Sequence, residues 1–299
     1  MQSDKLVNAA DKPAAQASKK SPKKATKPAS KAAPKKAAVK KTAKKEAKPA
    51  AKKAAAKSTK TAARIKIRFE ILFSTRFGQS MLISGAHPAL GAESIEQAPL
   101  MEYINDQKWA VELELDKASL TSGPVSYTYL VRDEDGAYAL SAPYQLTIPA
   151  ATSSLTIRDA WNAPGFIENV YSTDALQAFA QAVSPVKTSS RKKYSHRFII
   201  TAPPLEAGKA ICLIGAAAAF GGWDPAKAIL LTQEQSGKWS VDLSLKLSDT
   251  EADIDYKYGI YDLASGRLES FEAGDNRVLT PDPSGASLLV LQNGFIRTN

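Results

Sequence analysis

From Arg64 onward apolar and polar positions alternate, with Ile65, Ile67, Phe69, Ile71 and Phe73 separated by Lys66, Arg68, Glu70 and Leu72. That period of two predicts a half-buried β-strand. Further strand-like runs follow at 81–84, 109–115, 125–132 and 144–148, punctuated by turn signals at Gly78, Gly91, Gly123-Pro124 and Asp135-Gly136. Short strands between such turns predict an all-β module of antiparallel strands.

The same order then recurs. Arg68-Phe69 matches Arg197-Phe198, Gly85 matches Gly215, Leu90-Gly91 matches Phe220-Gly221, and Trp109 matches Trp239. Tyr127-Thr128-Tyr129 likewise matches Tyr256-Lys257-Tyr258, and every pair is offset by 129 or 130 residues. A register this constant across different motifs means that the chain carries two copies of one domain. Strands of the second copy are expected at 196–201, 209–214, 238–245, 254–261, 268–272 and 287–291. Between the copies, Thr173 or Asp174 caps a run of helix formers reaching Val183, which predicts one short helix. Trp161, Phe166 and Tyr171 are expected to pack one copy against the other, and 184–193 reads as a hinge.

Charge divides the chain differently. Residues 1–63 hold 19 Lys, no Arg and three acids, a net +16, whereas the rest carries −6 of the overall +10. The basic balance therefore belongs to a tail, and a nucleic-acid-binding fold is not implied. Lys-Lys, Ala-Ala and Pro repeat there with too little apolar surface to offset the entropy of ordering, so disorder is expected. Such a tail is suited either to non-specific binding of polyanions, nucleic acid included, through phosphate neutralisation, or to spacing. The lone Cys212 lies in an apolar run and is expected to be a small buried hydrophobe rather than half of a disulfide. No run approaches the length of about 20 apolar residues that spans a bilayer, and no secretory h-region is present, so no membrane partner and a cytoplasmic location are expected.

Catalytic chemistry finds no support. His87 and His196 sit in different copies without partner Cys, His or Asp spacing, which argues against a metal site and against a nucleophile–base pair. Both are expected at the surface or at strand edges. Nothing places two carboxylates in one cleft, and Gly215–Gly222 lacks the Gly-Lys-Ser/Thr ending of a phosphate loop. No catalytic residue, metal or cofactor is predicted.

Binding chemistry is concentrated in the second copy. Gly221-Gly222-Trp223-Asp224-Pro225 is a sharp turn that holds an indole where burial is difficult, and a rigid aromatic plate stacks on flat ring-shaped ligands. Lys257 alternates with Tyr256 and Tyr258, so it faces away from both and offers an ammonium donor. Phe271 and the turn Gly274-Asp275-Asn276-Arg277 add a second plate and an amide. Trp239, Tyr256 and Tyr258 are expected in the core.

In order and spacing, these segments resemble the family 20 carbohydrate-binding modules, the starch-binding domains, over about 100 residues. The resemblance implies immunoglobulin-like antiparallel β-sandwiches and a main α-glucan site formed by Trp223, Lys257, Phe271 and Asn276. Phe271 stands where that family usually has Trp, which implies a smaller plate. The first copy departs further, with Glu93 matching Trp223 and Thr128 matching Lys257; Tyr138 and Tyr103 are its candidate secondary contacts. Two such modules joined by Ile157-Arg158-Asp159-Ala160-Trp161 and Ile167-Glu168-Asn169-Val170 resemble the N-terminal part of amylomaltase-type 4-alpha-glucanotransferases of glycoside hydrolase family 77, in which a catalytic barrel follows.

The expected organisation is a disordered basic tail over 1–63, a degenerate module over 64–152, a linker with a short helix over 153–193, and a starch-binding module over 194–299. The expected partner is starch, glycogen or maltodextrin.

Overall fold

The computed structural model describes residues 63–121, 123–178, 194–234, 237–245 and 252–298. The expected tail, apart from Ala63, and the stretch 179–193 with the expected hinge lie outside them. Alternation in the sequence becomes alternation in burial: Ile65, Ile67, Phe69 and Ile71 are buried along β1 (Arg64–Leu72). The first module continues with β2 (Ser80–Gly85), β3 (Glu102–Asn105), β4 (Lys108–Asp116), β5 (Val125–Arg132), β6 (Tyr138–Leu140), β7 (Tyr144–Leu146) and β8 (Ser154–Ala160). The second holds β9 (His196–Thr201), β10 (Lys209–Gly215), β11 (Ile229–Leu230), β12 (Thr232–Gln233) and β13 (Lys238–Leu243). It closes with β14 (Ile254–Asp262), β15 (Arg267–Phe271), β16 (Arg277–Leu279) and β17 (Leu288–Phe295). The protein is an all-β, two-module sandwich.

One eight-stranded sheet, in the order β12-β13-β9-β17-β8-β1-β4-β3, runs through both modules. Two smaller sheets complete the sandwiches. In the first, β5 lies between β2 and β6 and also pairs β7; in the second, the order is β11-β10-β14-β15 with β16 on β14. At the seam β8 pairs β17 in parallel, Leu155 opposite Leu288 and Ile157 opposite Val290. Along β17, Leu288 and Val290 enter the first core while Leu289 and Leu291 enter the second. Successive side chains of a strand point to opposite faces, so the two small sheets cover opposite faces of the long one.

The segment read as the start of the linker is therefore a central strand. In β8 the residues Leu155 to Asp159 are all buried, the pattern of a strand covered on both faces, which has no polar–apolar alternation to announce it. The expected helix is one turn, Asp174–Gln177, capped by the Thr173 side chain, which accepts from the Leu176 amide. Trp161 packs on Phe73, ring centroids 4.4 Å apart, and Tyr171 meets Phe295 edge-on at 6.2 Å, whereas Phe166 stays exposed. His196, expected at a surface or edge, lies in β9 between β13 and β17 and is half-buried. His87 caps the turn Pro88–Leu90, its Nδ1 accepting from the Ala89 amide at 3.0 Å. Cys212 is fully buried, and burial pushes its thiol up to about 12. Among the described residues no helix is long and apolar enough to cross a membrane.

Candidate carbohydrate-binding site

The Trp223 turn is fixed by its backbone. Gly221, Gly222 and Trp223 all have positive φ, at 85°, 60° and 60°. A Cβ on Gly221 would fall 2.8 Å from the Lys227 carbonyl, so only glycine fits there. The Trp223 amide donates to Gly215 O at 2.9 Å, tying the turn to the end of β10. Asp224 Oδ1 accepts from the Ala226 amide at 3.1 Å and Oδ2 pairs with Lys227 Nζ at 3.0 Å, closing the next turn, Pro225–Lys227. The indole that results is about one-third exposed, at 36%. A left-handed conformation costs a non-glycine residue about 1–2 kcal/mol, which the surrounding hydrogen bonds offset.

Strand β14 carries the next group. Tyr256 and Tyr258 are buried in the core, as is Trp239, so Lys257 faces the other way. It lies opposite Ile214, beside the Gly215–Tyr256 pair to which the Trp223 turn is tied. Its Nζ donates to Gly274 O at 2.6 Å, and an ammonium keeps two further donors. Phe271 lies opposite Gly259, two residues beyond Lys257, so the ring and the ammonium share a face. A side chain at 259 would meet Ser270 O at 2.6 Å, which is why glycine stands under that strand. Phe271 is 44% exposed, and β15 lies against the Pro225–Lys227 turn. Asn276 is exposed, with Nδ2 at 3.5 Å from Asp255 Oδ2. The structure thus gathers Trp223, Lys257, Phe271 and Asn276 on one small sheet and the turns at its end.

The sequence pattern names Arg277 only as the end of a turn; the structure makes it and Glu272 the frame of the site. The Glu272 side chain is fully buried and accepts two hydrogen bonds of 2.8 Å from the Arg277 guanidinium and, from Arg297, one of 3.1 Å from the guanidinium and one of 3.4 Å from the backbone amide. Arg277 also donates to Asn293 O and Phe295 O, locking the turn that presents Phe271 and Asn276. Burial alone would raise the Glu272 carboxyl, but the Arg277 and Arg297 guanidiniums beside it prevail and hold it below the usual range. The separation of an acid and a base by five positions was the signal available in the sequence.

The first module repeats the scaffold without these groups. Glu93 stands in the turn and Thr128 lies opposite Ser84, where the second module pairs Lys257 with Ile214. Tyr103 lies in the long sheet, hydrogen-bonded to Asp106 and edge-on to Trp109, whereas Tyr138 lies in the small sheet opposite Arg132. Both are exposed, and as members of different sheets they are not brought together in one site.

The profile of the family described as starch binding domain matches residues 64–156 and 195–289. A relative, the 4-alpha-glucanotransferase DPE2 of Oryza sativa subsp. japonica, is 25% identical over 245 residues, covering 75% of this chain and 25% of that protein. The chain therefore spans about a quarter of the length of this relative. Among solved structures, a glycoside hydrolase family 15 glucoamylase from Hypocrea jecorina is 24% identical with a TM-score of 0.31, covering 34% of this chain and 18% of that one. The family 20 module of a maltotetraose-forming amylase from Pseudomonas saccharophila STB07 is 20% identical with a TM-score of 0.27, covering 32% of this chain and 97% of that one.

Proposed function

The chain belongs to the starch-binding domain family, a carbohydrate-binding family, and from that membership we propose that its second module holds α-1,4-glucan by stacking sugar rings on Trp223 and Phe271. Lys257 and Asn276 hydrogen-bond the hydroxyls along the same face. The observation that carries this reading is the exposed indole of Trp223, held by a strained turn whose counterpart in the first module carries Glu93 instead. The scaffold does not require an aromatic ring at that position, so a ligand is the reason for it. Each stacked ring adds on the order of 1 kcal/mol beyond burial, which makes a single site moderately tight. Titration of amylose or β-cyclodextrin into the native chain and Trp223→Ala tests the reading. Equal affinity for the two proteins would exclude this site.

In the same reading the binding is non-catalytic, needs no cofactor, and serves in the cytoplasm as the substrate-holding N-terminal part of a 4-alpha-glucanotransferase. The similarity to DPE2 supports that role. Maltose disproportionation by residues 1–299 alone would contradict the non-catalytic assignment. The rival reading rests on the +16 charge of residues 1–63 and makes a polyanion the main partner. Polyanion binding that exceeds glucan binding in the native chain and is abolished by deletion of those residues would favour it.

A further inference from the structure

Because the two small sheets cover opposite faces of the long sheet, each module's cover ends at the seam and leaves the neighbouring strands bare on that face. Beside β7 the uncovered strands are β9 and β13, and the connecting segment after β8 closes the end. A cavity of about 310 Å³ lies there, at the lower end of the usual range for ligand pockets. A second of about 350 Å³ shares Gln145, Ile199 and Lys238 with it, so the opening continues as a groove along the seam.

The lining has a definite chemistry. Four amides face the first cavity, Gln145 from the first module, Asn162 and Asn169 from the connecting segment, and Gln292 from the second module. Gln292 Nε2 is committed to the Tyr127 hydroxyl at 2.9 Å and the Asn162 and Asn169 amides are paired with each other, whereas the exposed Gln145 amide can both donate and accept, the combination that matches neighbouring hydroxyls. The rings of Tyr144 and Phe295 add apolar faces, Lys238 brings one ammonium, and no carboxylate lines this first cavity, while the second adds Arg197 and Glu234. Asn162 Nδ2 donates to Asn169 Oδ1 at 2.8 Å and Asn169 Nδ2 to Ala163 O at 2.8 Å, so these two amides fix the end of the cavity. In the first cavity a phosphorylated ligand would find a single cation, whereas a neutral polyhydroxylated one meets the exposed Gln145 amide beside the Tyr144 and Phe295 rings.

We propose that this seam is a second saccharide site, formed jointly by both modules and the segment between them, which takes a short neutral oligosaccharide independently of Trp223. The site exists only when the modules are joined through β8 and β17, which gives the paired arrangement a function that neither module has alone.

The test uses the full chain with maltotriose as probe, following backbone amide shifts by NMR. The expected result in Trp223→Ala is loss of the shifts around the Trp223 turn and persistence of those at Gln145, Asn162 and Gln292. Gln145 is exposed on its strand, so Gln145→Ala keeps the fold, and it should weaken the seam response about three- to tenfold, the loss of one neutral hydrogen bond. Lys238→Met provides a second variant with the same expected direction. Shifts confined to the Trp223 turn and β15 would overturn the proposal, as would seam shifts that neither variant weakens. Seam shifts without any response at Trp223 in the native chain would instead contradict the Trp223 reading and leave this one standing.

Discussion

Glu93 and Trp223 hold the same backbone pose in the two modules. Their φ angles are 66° and 60°, and each amide donates at 2.9 Å, to Gly85 O and Gly215 O respectively. The residue before each is left-handed as well, Ala92 at 49° and Gly222 at 60°. The turn is therefore a property of the scaffold, and only the side chain differs. Binding and stability should separate at this position. Trp223→Gly relieves the left-handed strain while removing the plate, so its unfolding free energy should equal that of the native chain or exceed it by up to about 1 kcal/mol. Its affinity for β-cyclodextrin should fall at least about tenfold, comparable to the loss of a central aromatic contact. Calorimetric titration beside a urea unfolding curve measures both.

Lys257 has one donor committed to Gly274 O and its stem among partly exposed groups. Replacing it by Met keeps most of the stem's packing and removes the ammonium. A hydrogen bond from a charged group contributes about 1.5–3 kcal/mol where solvent is excluded, so glucan affinity should drop about tenfold or more in Lys257→Met. Stability should change by less than about 1 kcal/mol, since the contact with Gly274 is near the surface. A larger loss of stability than of affinity would make Lys257 a structural residue.

The edges of the fold were legible where one face is wet and the other dry. Strand β1 alternates between buried and exposed positions at its start, β5 and β9 set buried against partly buried ones, and the limits of β5 and β9 in the sequence pattern and the structure agree closely. Strand β8 carries Thr156, Arg158 and Asp159 into full burial, so its polar residues read as connector. Strands of two to four residues, such as β3, β11 and β12, are too short to show a period. Nor does an apolar pattern say which of two cores a residue enters, and the neighbours Leu288 and Leu289 enter different ones. That Trp223, Lys257, Phe271 and Asn276 lie outside the core was legible because turn glycines and strand alternation place them there. Glu272 was not, because its spacing of five positions from Arg277 hints at an ion pair without showing that the carboxylate will be buried between two arginines.

Glu272 is expected to be the residue on which the shape of the site depends. Removing one partner of a buried ion pair leaves the other charge uncompensated, at about 3–5 kcal/mol. Glu272→Gln keeps the size and one acceptor, so the loss should sit at the lower end, about 3 kcal/mol, with Arg277 and Arg297 left facing a neutral group. Because Arg277 also holds the carbonyls of Asn293 and Phe295, amide hydrogen exchange should quicken across 272–279 and in β17. Exchange that quickens everywhere equally would show that the network supports the whole fold and not this turn.

Two groups near the seam, the buried Asp159 and the half-buried His196, give stability opposite dependences on pH. Asp159 is fully buried, its Oδ2 accepting from Tyr127 and Tyr129 hydroxyls at 2.8 Å each, and desolvation raises its carboxyl from 3.8 to about 7. Between those values the unfolded chain has released a proton that the folded one keeps, so this contribution declines as pH rises from about 4 to about 7. His196 behaves in the reverse sense: burial lowers its imidazole from 6.5 to about 4, with Asp282 opposing and Arg158 reinforcing the shift. There the unfolded chain holds the extra proton, so its contribution grows as pH rises through the same window. In the native chain the two slopes offset each other. Asp159→Asn retains an oxygen for both tyrosines and removes the titration, and its stability should rise with pH between about 4 and 6.5. His196→Gln should show the opposite, a fall between about 4 and 7. Urea midpoints of the three proteins at several pH values within that window decide the matter, and parallel curves for all three would mean that neither group titrates in the folded state as its burial requires.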